Sequence, residues 1–218
     1  MSDSKLRELE RRWREKGSVE DEITYLRERL RVGELTRERL ELAAYCGHEG
    51  AKRALLDQGT AAHIEGELAK DSLRTVTHKL ARLGRQVLAV AGNAVLEGAS
   101  KQLIQSAEVA SAIAAIKEWL RTPSSAARDA VLACAEAAWA CHRGSQAPDR
   151  AFAAALVEFG ELLQASDHTE TNAYRLVRRL AQGGLVDLSA AQQQIASGLL
   201  SWALDSEVSR MGQRSGAE

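Results

Sequence analysis

The feature that most constrains the fold is an alanine-rich stretch, residues 112–144, which reads AIAAIKEWLRTPSSAARDAVLACAEAAWACHRG. Alanine has the highest helix propensity, and the apolar side chains recur here at helical spacing. The stretch therefore predicts two amphipathic helices, joined at a corner formed by Thr122 and Pro123. Almost every polar residue in it suits a helix end or a solvated face. We expect these two helices to pack against other helices.

The rest of the chain has the same helical character. Of its 218 residues, 45% are hydrophobic but only 4% are aromatic, and two are prolines. Residues that favour strands never cluster in alternation, so we expect no sheet. Apolar stripes broken by glycine or proline predict short connections between helices. The expected fold class is all-α, as a multi-helix bundle or an irregular α-solenoid of about ten helices.

Several helices can be placed by their ends and their composition. Ser18 and Thr36 suit N-cap positions, and Pro148 suits the first turn of a later helix. Residues 61–83 carry one broad apolar face and predict a single helix. Residues 86–96 carry no charge, which is typical of a helix buried on most sides.

Composition also suggests where domains begin and end. Charge density falls near Gly59, so we expect an N-terminal short-helix subdomain over residues 1–58. An alanine-rich helical bundle would follow over residues 59–210, and residues 211–218 are expected to form a disordered tail. One continuous domain is an equally good interpretation.

The residues that could carry chemistry form no recognised motif. The potential metal ligands are Cys46 with His48, Cys134 with Cys141 and His142, and the isolated His63, His78 and His168. There is no Cys-x-x-Cys, His-Glu-x-x-His, Gly-x-Ser-x-Gly or glycine-rich phosphate loop. The three cysteines fall in apolar patterns, so we expect buried, reduced thiols. We therefore expect no catalytic, cofactor or metal site, although a site assembled from dispersed residues remains a third interpretation.

No segment of the sequence is typical of a membrane protein. The N-terminus is charged from the start, and the longest uncharged stretch, residues 188–204, is short and contains three glutamines. We expect neither a signal peptide nor a transmembrane helix. The predicted location is the cytoplasm.

Two basic clusters are the candidate partner-binding residues. The first is a row at intervals of four, formed by Lys70, Arg74, His78 and Arg82, with Arg85 next in line. The second consists of Arg175, Arg178 and Arg179 beside Tyr174. Solvated helix faces are the simplest interpretation, and an anionic partner is the functional one. A net charge of −1 and an isoelectric point near 6.5 argue against nucleic acid.

The four tryptophans are expected to anchor the core. They are Trp13, Trp119, Trp139 and Trp202. Trp119 lies at the edge of its apolar stripe, so it is the candidate for an interface residue.

Residues 112–131, followed by AEAAWA at residues 135–140, resemble helical immunity proteins from polymorphic-toxin systems of GC-rich bacteria. Their shared pattern is an alanine-rich helix, Glu-Trp-Leu, a short corner and a second alanine-rich helix. The segment ELTRERLELAAYCGHEGAKRALL, residues 34–56, is similar to a helical N-terminal element in proteins of such genomes. The resemblance implies a non-enzymatic protein that neutralises a toxin by binding it. The resemblance does not indicate which residues would contact the toxin.

Together these observations predict a non-enzymatic protein that holds a cognate partner inactive. The partner would be a toxin, or a secreted enzyme such as a protease for which the chain is inhibitor or chaperone. The alternative is a regulatory or scaffold module that binds an acidic protein or nucleic acid through the basic row. No cofactor and no membrane association are expected, and self-association is left open.

Overall fold

The computed structural model describes residues 2–56, 64–103, 106–164 and 168–205, with side chains from residue 4 onward. These ranges contain eleven α-helices, one 3-10 helix and no strand, which confirms the predicted all-α fold. The helices are α1 (Ser2–Lys16), α2 (Val19–Arg31), α3 (Arg37–Tyr45), α4 (Glu49–Leu56), α5 (Leu73–Ala81), α6 (Arg85–Ser100), α7 (Ala107–Arg121), α8 (Ser125–His142), α9 (Ala147–Leu162), α10 (Thr169–Gln182) and α11 (Leu188–Leu204). The 3-10 helix covers Leu68–Lys70.

Most predicted helix starts are confirmed because the capping groups act locally. The Ser18 hydroxyl accepts a hydrogen bond from the Asp21 backbone N–H at 3.1 Å, and Thr36 caps α3 through Arg39 in the same way. Pro148 lies in the first turn of α9, where its missing N–H has no helical partner to lose. The uncharged residues 86–96 lie within α6, most of which is buried.

The prediction of one helix over residues 61–83 is wrong. Its described part begins at Ile64 and contains only the 3-10 helix before α5 starts at Leu73. Gly66 has a φ of +91°, and Ser72 is extended and caps α5 through the Thr75 backbone N–H at 3.2 Å. Both conformations interrupt a helix, although apolar spacing continues across them.

The corner between α7 and α8 contains Thr122 and Pro123 as predicted, but neither residue is the N-cap of α8. Ser124, and not Thr122, is the N-cap of α8, and its hydroxyl accepts from the Ala127 backbone N–H at 3.1 Å. Thr122 instead ends α7, with a φ of −138° and a ψ of 80°. A residue before proline is driven out of the helical region, so Pro123 explains the early end of α7.

Contacts between Cα atoms divide the chain into two compact units. The first comprises Met1–Lys70 and Leu199–Glu218, and the second comprises Asp71–Gly198. The last helix, α11, therefore contributes residues to both. The predicted boundary near Gly59 and the predicted tail over residues 211–218 lie outside the described residues, so those domain limits stay a prediction.

In the first unit α2 packs against α1 and α4, and α3 packs against α4. Trp13 of α1 stacks on Tyr25 of α2, with ring centroids 5.4 Å apart. Offset aromatic stacking of this kind adds to the burial of apolar surface. None of the described helices is both long and apolar enough to cross a membrane.

In the second unit α9 packs against α6, α8 and α10. Its apolar face includes Phe152, Leu156 and Phe159, all of which are fully buried. Small residues allow the close approach of α10. A Cβ at Gly183 would lie only 2.4 Å from the Cβ of Ala151. The backbone fixes the positions of both Cβ atoms, so side-chain rotation could not relieve this clash. Glycine is therefore required where α10 meets α9.

We predict that Gly183→Ala destabilises the protein by about 1–3 kcal/mol, because the added methyl overpacks the α9–α10 contact. Urea unfolding followed by circular dichroism measures the change. Gly144→Ala is the matched control, because nothing lies within 4 Å of a Cβ there. Its effect should stay within about 0.5 kcal/mol. Equal effects of the two substitutions would contradict the close contact.

Candidate functional site

The predicted basic row does not form on one helix. Lys70 lies in the 3-10 helix of the first unit, with its Nζ 2.8 Å from a Glu67 carboxylate oxygen. Hydrogen bonds from Lys52 and Lys70 lower the pKa of Glu67 to about 2. Arg74 lies in α5, within the second unit. The row was predicted on the assumption that its residues share one helix, and they do not.

Two further members of the row contact other helices of the second unit. His78 Nδ1 is 3.1 Å from a carboxylate oxygen of Glu170, at the start of α10. Arg85 donates from Nη1 to the backbone carbonyl of Leu163 at 3.2 Å, which joins the start of α6 to the end of α9. Arg82 is exposed and caps the C-terminus of α5. Partner binding by the row stays a prediction.

The second basic cluster lies on α10. Arg175, Arg178 and Arg179 are exposed. The Arg178 guanidinium lies over the ring of Tyr174, 5.9 Å from its centroid. Arg179 Nε is 3.5 Å from Glu158 Oε1 of α9, a long ion pair. Arg175 and Arg179 of this cluster line concave surface.

A small cleft opens between α8, α9 and α10 and has a volume of about 200 Å³. We call it the Trp139 cleft. Its lining residues are Trp139, Ala147, Arg150, Ala151, Ala154, Arg179, Gln182 and Gly183. Alanine and glycine therefore form much of the lining, with a tryptophan and two arginines around it.

Trp139 is 37% exposed, which makes it the prominent apolar side chain of this surface. The candidate interface residue Trp119 is instead buried in α7. The prediction that Trp139 anchors the core is wrong, because the buried residues of α8 are Val131, Ala135 and Ala138.

A second, polar cleft of about 430 Å³ lies at the other end of the α9–α10 pair. We call it the His168 cleft, and it is lined by Glu161, Gln164, His168, Thr171, Asn172 and Arg175. Glu158 falls between the two clefts along α9, and its partner Arg179 lines the Trp139 cleft. We use the name α9–α10 groove for the two clefts together with this ion pair.

Glu158 of α9 is only 8% exposed. Burial raises its pKa and nearby Glu161 adds to the increase, while Arg179 and Arg175 oppose it. Its Oε2 is buried and has no hydrogen-bond partner among the described residues. The carboxylate therefore holds Arg179 only weakly, and the guanidinium remains half exposed at the surface.

The potential metal ligands are not brought together. His48 Nδ1 accepts from the Ala51 backbone N–H at 3.2 Å, and burial raises the pKa of the Cys46 thiol to about 12. Cys141 is exposed, so the prediction of a buried thiol is wrong there. Within the described ranges no three His, Cys, Asp or Glu side chains could hold a metal. His63 lies outside those ranges, and the expected absence of a metal stays a prediction.

Comparison with known proteins returns no match: no family model, curated protein or solved structure matches the chain. The site is therefore defined by its own geometry. Sequence reasoning identified the arginines of α10 but missed Trp139, Arg150 and Glu158. The spacing of Ala147 and Ala151, together with Gly183, was the available signal for a close helix contact.

We predict that Glu158 makes the protein less stable as pH rises. Its folded-state pKa is raised, so its contribution falls as pH increases from the unfolded value, about 4.3, through the folded value. Glu158→Gln should therefore gain stability relative to wild type between about pH 3.5 and pH 7. Urea unfolding at both pH values measures this difference.

Glu28→Gln is a control of opposite sign. A hydrogen bond from Arg31, supported by Lys5, lowers the pKa of Glu28 to about 2. Glu28 therefore stabilises the fold above its unfolded pKa and loses this contribution as pH falls. Parallel pH trends in the two variants would contradict the raised pKa of Glu158.

Proposed function

We propose that this protein is a non-enzymatic binding protein that holds a cognate protein inactive, and that the α9–α10 groove is its docking surface. The observation that carries the proposal is the exposed Trp139 beside a cleft lined by small residues and two arginines. Tryptophan and arginine are the residue types most enriched among interface hot spots.

The size of the Trp139 cleft favours a protein partner over a small substrate. Pockets for small molecules usually measure roughly 300–1,000 Å³. A cleft of about 200 Å³ lies below that range and suits one or two inserted side chains. Its alanine-rich lining also offers little chemistry to a substrate. Such a surface can bind an anchor residue of a partner.

The charges around the cleft indicate the chemistry of that partner. Arg150 and Arg179 both line it, and the ion pair between Arg179 and Glu158 is long, at 3.5 Å. A partner segment that presents an apolar side chain to Trp139 and a carboxylate to these arginines complements the surface. Complementary charge would also accelerate the encounter.

The groove is long enough for one secondary-structure element of a partner. From Ala147 to Gln164 the α9 side extends roughly 25 Å at 1.5 Å per residue. The polar His168 cleft would then lie at the rim of the interface, where hydrated contacts are usual. A single helix or extended strand of the partner would cover both clefts.

The finer assignment rests on the sequence resemblance described above. We propose a cytoplasmic bacterial protein that acts as immunity protein to a toxin, or as inhibitor or chaperone of a secreted enzyme. The alternative, binding of an acidic protein or nucleic acid through the basic row, has less support. Lys70 is paired with Glu67, and Arg85 bonds to a backbone carbonyl.

We predict that Trp139→Ala weakens partner binding by about 2 kcal/mol or more, which is about 30-fold. The tagged chain is first used to isolate a stoichiometric partner from its native host. Isothermal calorimetry then measures the affinity of each variant, and an activity assay on the purified partner measures inhibition. Wild-type protein should suppress the activity, and the variant should do so only at higher concentration.

Leu188→Ala is the matched control, because Leu188 is a large apolar residue that is 51% exposed and does not line either cleft. It should bind and inhibit as wild type does. Equal affinity of Trp139→Ala and wild type would exclude the groove as the docking surface. A bound partner whose activity is unchanged would exclude the inhibitory role.

A further inference from the structure

Two arginines are buried in the first unit, and their guanidinium groups meet at the end of α11. Arg29 of α2 is 2% exposed and Arg39 of α3 is 8% exposed. Arg29 Nη1 donates to the Leu204 carbonyl at 2.8 Å. Arg39 Nη2 donates to the carbonyls of Trp202 and Asp205, the latter at 3.3 Å. Both cations therefore cap the same helix terminus.

Burial of two like charges is costly unless they are compensated. Burial and the nearby Arg29 together lower the pKa of Arg39 to about 10, and Asp205 opposes the decrease. The carbonyls at a helix C-terminus supply roughly half a negative charge. This half charge and the Asp205 carboxylate offset the two cations only in part.

Three N–H donors at this place lack an acceptor among the described residues. They are Arg29 Nε, Arg29 Nη2 and Trp202 Nε1, and all three are buried. The indole ring of Trp202 lies under the Arg39 guanidinium, 4.8 Å from the Cζ atom to the ring centroid. A buried donor without an acceptor destabilises a fold, so three such donors indicate that an acceptor binds beside them.

We propose that the first unit binds a small monovalent anion, such as chloride or a carboxylate the size of formate, between Arg29, Arg39 and Trp202. Such an anion accepts hydrogen bonds and donates none, which matches a site built from N–H donors. The partial compensation by Asp205 and the helix end leaves too little positive charge for a doubly charged ion. The deep burial of Arg29 likewise favours a small ion.

Chloride binding to the full chain tests this site directly. The thermal midpoint is measured at constant ionic strength while chloride replaces gluconate, which is too large for the site. We expect a saturable increase of about 3 °C, because a ligand that binds only the folded state stabilises it. The ³⁵Cl NMR line should broaden with added protein, and formate should reverse the broadening.

Trp202→Phe keeps the aromatic ring and removes one donor, so it should weaken chloride binding several-fold. Arg29→Met should abolish the binding, and Arg31→Met is the control because Arg31 is exposed on the same helix. If Arg29→Met does not fold, the comparison of Trp202→Phe with wild type decides whether chloride binds at this site. Equal midpoints in chloride and gluconate, or undiminished broadening with Trp202→Phe, would overturn the proposal.

Discussion

The close packing of α9 against α6, α8 and α10 is the constraint on which the second unit depends. The contact with α10 requires a residue without a side chain at Gly183, because even a methyl group would meet Ala151. The same small residues line the Trp139 cleft. A surface that holds helices together at close range thus also leaves a concave site beside an exposed tryptophan. The helix contact and the proposed docking surface therefore share these residues.

The arginines of this chain occupy two kinds of environment. Arg29 and Arg39 are buried at the end of α11, and Arg85 bonds to the carbonyl of Leu163. Arg150 and Arg179 instead line open surface. Because a guanidinium carries five donors in a fixed fork, it can cap carbonyls inside a protein or bind carboxylates at its surface. Burial and partners distinguish the two uses, and residue type does not.

Sequence reasoning succeeded where the deciding interaction is local. Ser18 and Thr36 cap helices through backbone groups three residues away, so their patterns identify the starts of α2 and α3. It failed over residues 61–83, where apolar spacing suggested continuity and Ser72 imposed a break. It also assigned Arg85 to a surface row, because its actual partner lies 78 residues further along the chain.

The amino-acid order alone therefore determined the helical class, most helix boundaries and the basic cluster on α10. Those properties follow from propensity, periodicity and caps, which act over a few residues. The groove and the buried arginines were decided by packing between distant segments. The packing of α8 leaves Trp139 exposed, and the position of α10 places Arg179 against Glu158. Contacts between helices depend on how side chains from distant parts of the chain pack together. A local sequence pattern therefore does not predict them.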